Sequence, residues 1–414
     1  MQSFSVKDFT VLHHKNHSSI ANARIIVNAG KCDEADPKTF GVAHYLEHMM
    51  FKGTQSMDYK ELNQQLANLG DVNAFTSDDI TVYHLTFLSD KVDEALKLLT
   101  DMVFRSTFPV DEFEKERGVI FEEYKTGLDN AGRTFGEGYN AHLFGDRFGH
   151  STIGTEESIK NMKIEDMLNF HKTFYRPNNI AIAVTGNIAK GKLKESLTKY
   201  LPKLSSLPKE DTTINLNVTD YHLKSDKFKQ SILYLNTVTD INFMDEIKTN
   251  HLPDIFNNAL GGGLHSLLFN RIREELGLCY SIGSYHSPDE KFGRQIIYCY
   301  LNDKNINLVV EESAEIIEKI KKEGISPELL HTAKTQVLFQ FGRRMETSSG
   351  LNSMMDSYFM FKDYPLDQYL SIERLKQGFE KITNQDIIDF ANRVYGPELK
   401  FQVAKMTYSE RLSE

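Results

Sequence analysis

Cysteine is scarce: Cys32, Cys279 and Cys299 are the three in 414 residues, an odd and scattered set without CxxC spacing. That excludes a disulfide framework and a cysteine-based zinc site, and it fits a reducing compartment. Basic residues are also short, since 48 Lys and Arg against 58 Asp and Glu leave a net charge of −10. This charge is spread along the chain, which disfavours nucleic acid or an anionic membrane as the main partner and leaves a basic peptide open. No apolar run is long enough to span a bilayer, and Met1 to Leu12 has neither the basic start nor the apolar core of a signal peptide. A cytoplasmic location is therefore expected. Apolar and charged residues, by contrast, are present in ordinary amounts, 40% and 26%, so packed cores are expected rather than disorder. At ~150 residues per domain the length asks for two or three domains.

Ala21 to Asn28 reads as a strand, and Asp36-Pro37 as an N-cap opening a helix that runs through His44 and His48 to about Gly53. Leu62, Leu66 and Leu69 predict a second helix stopped by Gly70, and Ile80 to Phe87 alternates as a strand. Helices over Val92–Val103 and from Asp111 to about Thr126 follow, then a strand over Ile180–Val184. Part of this plan repeats. Phe87-Leu-Ser-Asp90 leads to a helix, then Phe108-Pro109 and another helix. Tyr300-Leu-Asn-Asp303 likewise leads to a helix, then Ser326-Pro327 and another. The offsets, 303 − 90 = 213 and 327 − 109 = 218, are nearly constant and about half the chain. We therefore expect an α+β fold of two similar domains from an internal duplication, 1–205 and 227–414, each a mostly antiparallel sheet packed with helices. The polar, proline-bearing stretch 206–226 is the expected linker.

His44-Tyr-Leu-Glu47-His48 sets two imidazoles at i and i+4 on one helical face with a carboxylate at i+3. Two such histidines can hold one zinc ion, with the glutamate positioned to take a proton from a zinc-bound water. The bland alternative is a pair of unrelated core or surface histidines. On the helix from Asp111, Phe113, Glu116, Ile120 and Glu123 share a face, and acids on an apolar face need compensation, which a metal can supply. Glu122 falls about half a turn from Phe113 and should face solvent. Glu123 is thus the candidate third ligand, with Glu116 behind a ligand histidine; the alternative is that both acids pair with lysines or arginines.

HYLEH is the inverted zinc motif HxxEH, and with the motifs that follow, the chain resembles the pitrilysin, insulysin and mitochondrial processing peptidase family over nearly its whole length. The 123 − 48 − 1 = 74 residues between His48 and Glu123 suit that family's third ligand. The resemblance implies one Zn2+ per chain on His44, His48 and Glu123, Glu47 as general base and Glu116 as a further catalytic glutamate near the metal. Gly70-Asp-Val-Asn73-Ala74-Phe-Thr76 resembles the family's edge strand, so Asn73 and Ala74 are expected to bind a substrate peptide added as a β-strand. Read alone, Asn73 is a turn residue. Leu260 to Tyr280 resembles a glycine-rich loop followed by a helix bearing Arg273 and Tyr280, which would bind substrate and stabilise the oxyanion. Read alone, its glycines are a flexible turn ending a helix and Arg273 a surface charge; a phosphate cradle is a further reading, but no GK[ST] follows.

The resemblance further implies a zinc-dependent endopeptidase acting on short or unfolded peptides in a closed chamber. This chain would form one half of a clamshell, and Arg273 and Tyr280 would complete the site across a homodimer. A non-catalytic assembly subunit and a peptide-binding module of the same fold are the competing readings.

Overall fold

The computed structural model describes residues 1–208, 214–362 and 364–409, so part of the expected linker, 209–213, lies outside the described residues. Two compact units emerge. The first comprises Met1–Asn130, Phe144–Leu216 and Arg344–Phe359, and the second comprises Ala131–Leu143, Asn217–Arg343 and Met360–Glu414.

The first unit is built on β1 (Gln2–Val6), β2 (Phe9–Lys15), β3 (Ile20–Val27), a short hairpin of β4 (Gly53–Thr54) and β5 (Met57–Asp58), then β6 (Gly70–Thr76), β7 (Thr81–Leu88) and β8 (Ile180–Gly186). Six of these form one sheet in the order β1-β2-β8-β3-β7-β6. Its pairs are antiparallel except β2 with β8. The run IAIAVTG of β8 is buried at every residue, as a central strand covered on both faces must be. At the other extreme β6 lies on the edge, its residues alternating between exposed and half-buried.

Three helices, α1 (Val42–Met49), α2 (Tyr59–Leu69) and α3 (Val92–Phe104), pack against this sheet, and a fourth, α4 (Val110–Leu128), packs on α1. Asp58 caps α2 by accepting the Glu61 N–H at 2.9 Å, and Gly70 ends the helix. Leu46 and Met49, Leu62 and Leu66, Leu96 and Leu99, and Phe113 and Ile120 are the inward residues of the four helices, joined in one core with Ile25, Tyr83 and Ile182 of the sheet. These fall at the helical spacing expected of a single buried stripe.

The second unit carries β9 (Tyr221–Ser225), β10 (Ser231–Thr239), β11 (Cys279–Pro288), β12 (Gly293–Leu301) and β13 (Gln402–Tyr408) in the order β11-β12-β10-β13-β9. Again one pair, β13 with β9, is parallel. Set beside β6-β7-β3-β8-β2, the order and the position of the parallel pair coincide. This repetition matches the duplicated α+β plan, and helices Ile306–Glu323 and Pro327–Met345 occupy the places of α3 and α4. After each of those long helices the chain lends a segment to the other unit. Helix Ala131–Phe144 contributes to the second, and helix Ser348–Ser353 to the first, with starts 348 − 131 = 217 apart.

Polar contacts anchor the lent pieces. Asn352 Nδ2 donates to the carbonyls of Asn22 at 2.7 Å and Ala183 at 3.2 Å, while its Oδ1 accepts from the Thr185 hydroxyl at 2.5 Å. Arg24 and Asp356 form a buried ion pair at 2.6 Å. In the second unit Tyr139 donates its hydroxyl to Gln402 Oε1 at 2.8 Å. The three cysteines are free, and among the described residues no helix is long and apolar enough to cross a membrane.

Candidate metal centre

The site is built on α1. The expected single helix from Asp36 is broken in two: Asp36 caps only the 3-10 turn Pro37–Thr39, and α1 restarts after Gly41, whose φ of 90° lies in the left-handed region. A Cβ at Gly41 would stand 2.2 Å from the Ile153 carbonyl oxygen, so glycine is required there. The free N–H groups at this helix start are held by buried Glu34, which accepts from Gly41 at 2.6 Å and Ala43 at 2.9 Å. His150 Nε2 meets the same carboxylate at 2.8 Å, while its Nδ1–H donates to the Arg147 carbonyl at 2.9 Å. Burial pushes the Glu34 carboxyl above the usual range, and His150 opposes that rise.

One turn further on, His44 and His48 stand together on one face with ring centroids 4.6 Å apart. Opposite them α4 presents Glu123, whose Oε2 is 3.7 Å from His44 Nε2 and 3.7 Å from His48 Nε2. Tyr45 fixes α1 on α4 by donating its hydroxyl to the Phe113 carbonyl at 2.8 Å. Glu116, one α4 turn before Ile120, accepts His48 Nδ1–H at 2.8 Å and pairs with Lys52 at 2.5 Å. It thereby turns Nε2 of His48 towards Glu123 and His44. Burial raises the Glu116 carboxyl, but the bonds from His48 and Lys52 outweigh it and the net shift is downward. Glu122 is exposed and pairs with Lys125 at 2.8 Å.

Glu47 lies beside this group, 8% exposed, its Oε2 accepting the Thr76 hydroxyl of β6 at 2.6 Å. Burial is the larger influence and raises its pKa, while Thr76 and His48 pull it down. A buried carboxylate beside two imidazoles is placed to exchange a proton with a water held at the same group.

Two imidazoles and a carboxylate suit a zinc ion chemically. Ligands about 2.0–2.1 Å from a tetrahedral zinc lie about 3.3–3.4 Å from one another. The 3.7 Å separations come close to that edge and are too long for hydrogen bonds between the same atoms. His44, His48 and Glu123 therefore fit such an ion as they stand.

The other residues singled out from the sequence are distributed as follows. Asn73 is exposed on edge strand β6 and Ala74 half-buried beside it. Arg273 and Tyr280 belong to the second unit, whereas the histidines belong to the first. The two were expected on one helix, but only Arg273 is helical, in a π-helical turn Phe269–Glu275; Tyr280 is in β11. The register of β11 against β12 shifts between Cys279 and Ser281, and this bulge turns Tyr280 outwards, 76% exposed. The Arg273 guanidinium lies 4.6 Å from the Phe269 ring and 5.4 Å from that of Tyr280. Sequence reading did not point to Lys52, Thr76, Glu34 or His150. Lys52, four residues after His48 and just past the end of α1, was the findable one; Glu34 and His150 are too far apart in the chain for any local pattern.

Comparison with known proteins adds the family. Residues 9–153 match the family described as Insulinase (Peptidase family M16), and residues 161–337 match the Peptidase M16 inactive domain. The chain belongs to peptidase family M16. Among M16 relatives, the uncharacterized zinc protease YmxG of Bacillus subtilis (strain 168) is 29% identical over 323 residues, 77% of each chain. An uncharacterized zinc protease of Rickettsia bellii (strain RML369-C) is 29% identical over 367 residues, 87% of this chain and 86% of that one. A protease from Helicobacter pylori shares the fold with a TM-score of 0.86 at 21% identity, covering 99% of both chains. So does a Pseudomonas fluorescens protein described as a peptidase M16 inactive domain, with a TM-score of 0.86 at 21% identity over 100% of this chain and 99% of that one.

Proposed function

We propose that this M16 chain is a zinc-dependent endopeptidase acting on short or unfolded peptides. The observation that carries the reading is the convergence of His44, His48 and Glu123 at 3.7 Å, with the buried carboxylate of Glu47 alongside. The names of the zinc protease relatives support it. One zinc ion per chain, held by these three side chains, would lower the pKa of water towards about 7 and polarise a carbonyl. Glu47 takes a proton from the attacking water and passes it to the leaving amine. Glu116 keeps the His48 ring oriented. Among the described residues no strand lies beside the outer edge of β6, and an extended peptide pairs there next to Asn73 and Ala74. The net charge of −10 favours basic peptides.

Arg273 and Tyr280 bind substrate and stabilise the oxyanion, and in this reading a homodimer lets each copy complete the other's site. The test is Glu47→Gln in the full chain. General base loss should lower peptide cleavage by about 10²–10⁴-fold while zinc content by elemental analysis stays at the parent value. Cleavage at the parent rate overturns the role of Glu47.

A further inference from the structure

The second unit holds another group of metal-ligating side chains, unconnected with the HxxEH site. Glu246 comes from the helix Phe243–Lys248, His251 from the junction that follows, Asp254 from the first turn of the helix Leu252–Gly261, and His286 from β11. His251 Nδ1 is 3.5 Å from Glu246 Oε1 and 3.2 Å from Asp254 Oδ2, and the three donor atoms all lie within 4.8 Å of one another. On its far side Glu246 turns Oε2 towards His286 Nδ1 at 3.5 Å.

We propose that Glu246, His251 and Asp254 form a second binding site for a divalent transition metal of the zinc class, with His286 orienting Glu246 from behind. Three observations carry this. The 3.2 Å contact from His251 to Asp254 is a hydrogen bond, and it and the 3.5 Å contact to Glu246 bracket the edge of about 3.3–3.4 Å that a tetrahedral zinc imposes on its ligands, so an ion can take the place of the shared proton with little movement. Two carboxylates brought this close in a largely buried pocket need positive compensation, which a divalent ion between them supplies. Behind this pair, Glu246 Oε2 and both ring nitrogens of His286 are buried without a hydrogen bond, in side chains 11% and 1% exposed.

The backbone supports the same reading. Asn250 and His251 both adopt left-handed conformations, with φ of 54° and 56°, a region these two residue types enter readily, and the reversal brings His251 between Glu246 and Asp254. The His251 ring rests on Phe341 at 4.5 Å, which fixes the direction of its nitrogens. Asp254 is the exposed member, its side chain 41% accessible, and gives a metal ion its way in. An imidazole with two carboxylate oxygens suits the borderline first-row ions better than calcium, which prefers oxygen throughout.

The test counts metal in the full-length chain, stripped with chelator and dialysed against Zn2+. The parent is expected to carry two equivalents, His44→Ala/His48→Ala one, and the same double variant with Asp254→Asn none. Co2+ titration followed by visible absorption gives the same count with an independent probe. His286→Phe should weaken uptake by this site about 10–100-fold without abolishing it. Asp254→Asn changes a half-exposed side chain isosterically, so it tests the site even if His251 or Glu246 variants fail to fold. The proposal is overturned if His44→Ala/His48→Ala takes up no metal, or if adding Asp254→Asn leaves its uptake unchanged. Failure of the first site alone has a different signature: a parent with one equivalent that survives loss of His44 and His48 and disappears with Asp254→Asn.

Discussion

Replacing Glu116 by glutamine changes one oxygen for an NH2 group and keeps the volume, yet the structure gives it a large consequence. Glu116 is 5% exposed and serves two donors at once, His48 Nδ1–H at 2.8 Å and the Lys52 ammonium at 2.5 Å. A glutamine side chain has a single acceptor, so one donor must face an NH2 group. If Lys52 keeps the oxygen, His48 loses the partner that fixes its tautomer, and zinc affinity should drop about 10–100-fold, or about 1.4–2.8 kcal/mol. If His48 keeps the oxygen, the loss falls on Lys52, 16% exposed, and appears as about 1–3 kcal/mol of stability. Competition titration against a chromophoric chelator reads the first quantity, and urea denaturation of the metal-free chain reads the second. Glu122→Gln is the control, since that residue is solvent-exposed and paired only with Lys125; it should change neither. A Glu116→Gln chain that matches the parent within about twofold in zinc affinity and within about 0.5 kcal/mol in stability would refute the positioning role given to Glu116.

Three further outcomes are expected. Burial raises the Asp356 carboxyl to about 6 despite Arg24 beside it. The folded state therefore holds the proton longer than the unfolded one, and stability should fall as pH rises from about 4 to about 6, by on the order of 2–3 kcal/mol, then level off. Asp356→Asn should remove that part of the profile in denaturation curves, and an unchanged profile would show that Asp356 is not its source. Asn352→Ala deprives Thr185 and the carbonyls of Asn22 and Ala183 of a buried partner and should cost about 2–4 kcal/mol in urea denaturation; a loss under about 0.5 kcal/mol would mean water replaces it. If Arg273 and Tyr280 complete a site in a second copy, specific activity should decline on dilution through the dimer dissociation constant, and a flat series would exclude the shared site.

The sequence made legible whatever rests on local periodicity. The i, i+4 pair of histidines, the α4 face with Glu116 and Glu123, and α2 ending at Gly70 all follow from helical spacing. The near-constant offset of the repeat foretold two sheets of one plan. Features that depend on distant atoms were hidden. Gly41 breaks the expected helix because the Ile153 carbonyl presses on it, and the helical turn bearing Arg273 ends before Gly277, φ 62°, which leaves Tyr280 in a strand. Glu34 finds His150 across 116 positions. Glu246, His251 and Asp254 sit at intervals of 5 and 3, which follow no periodicity because the left-handed pair Asn250-His251 reverses the chain between two helices.

The reciprocal loan of segments has a consequence for how the molecule is made. Domains of a nascent chain ordinarily fold one after another as they leave the ribosome, amino-terminal first. Here the first unit stays unfinished until Arg344–Phe359 has been synthesised, so Asn22, Arg24 and Thr185 wait for Asn352 and Asp356 while most of the second unit is already made. The β3–β8 region where that helix docks is bare in the interval, and a truncated chain ending near residue 216 would keep it bare permanently. A finished first unit is in this way withheld from fragments and granted only to a chain that extends through Phe359.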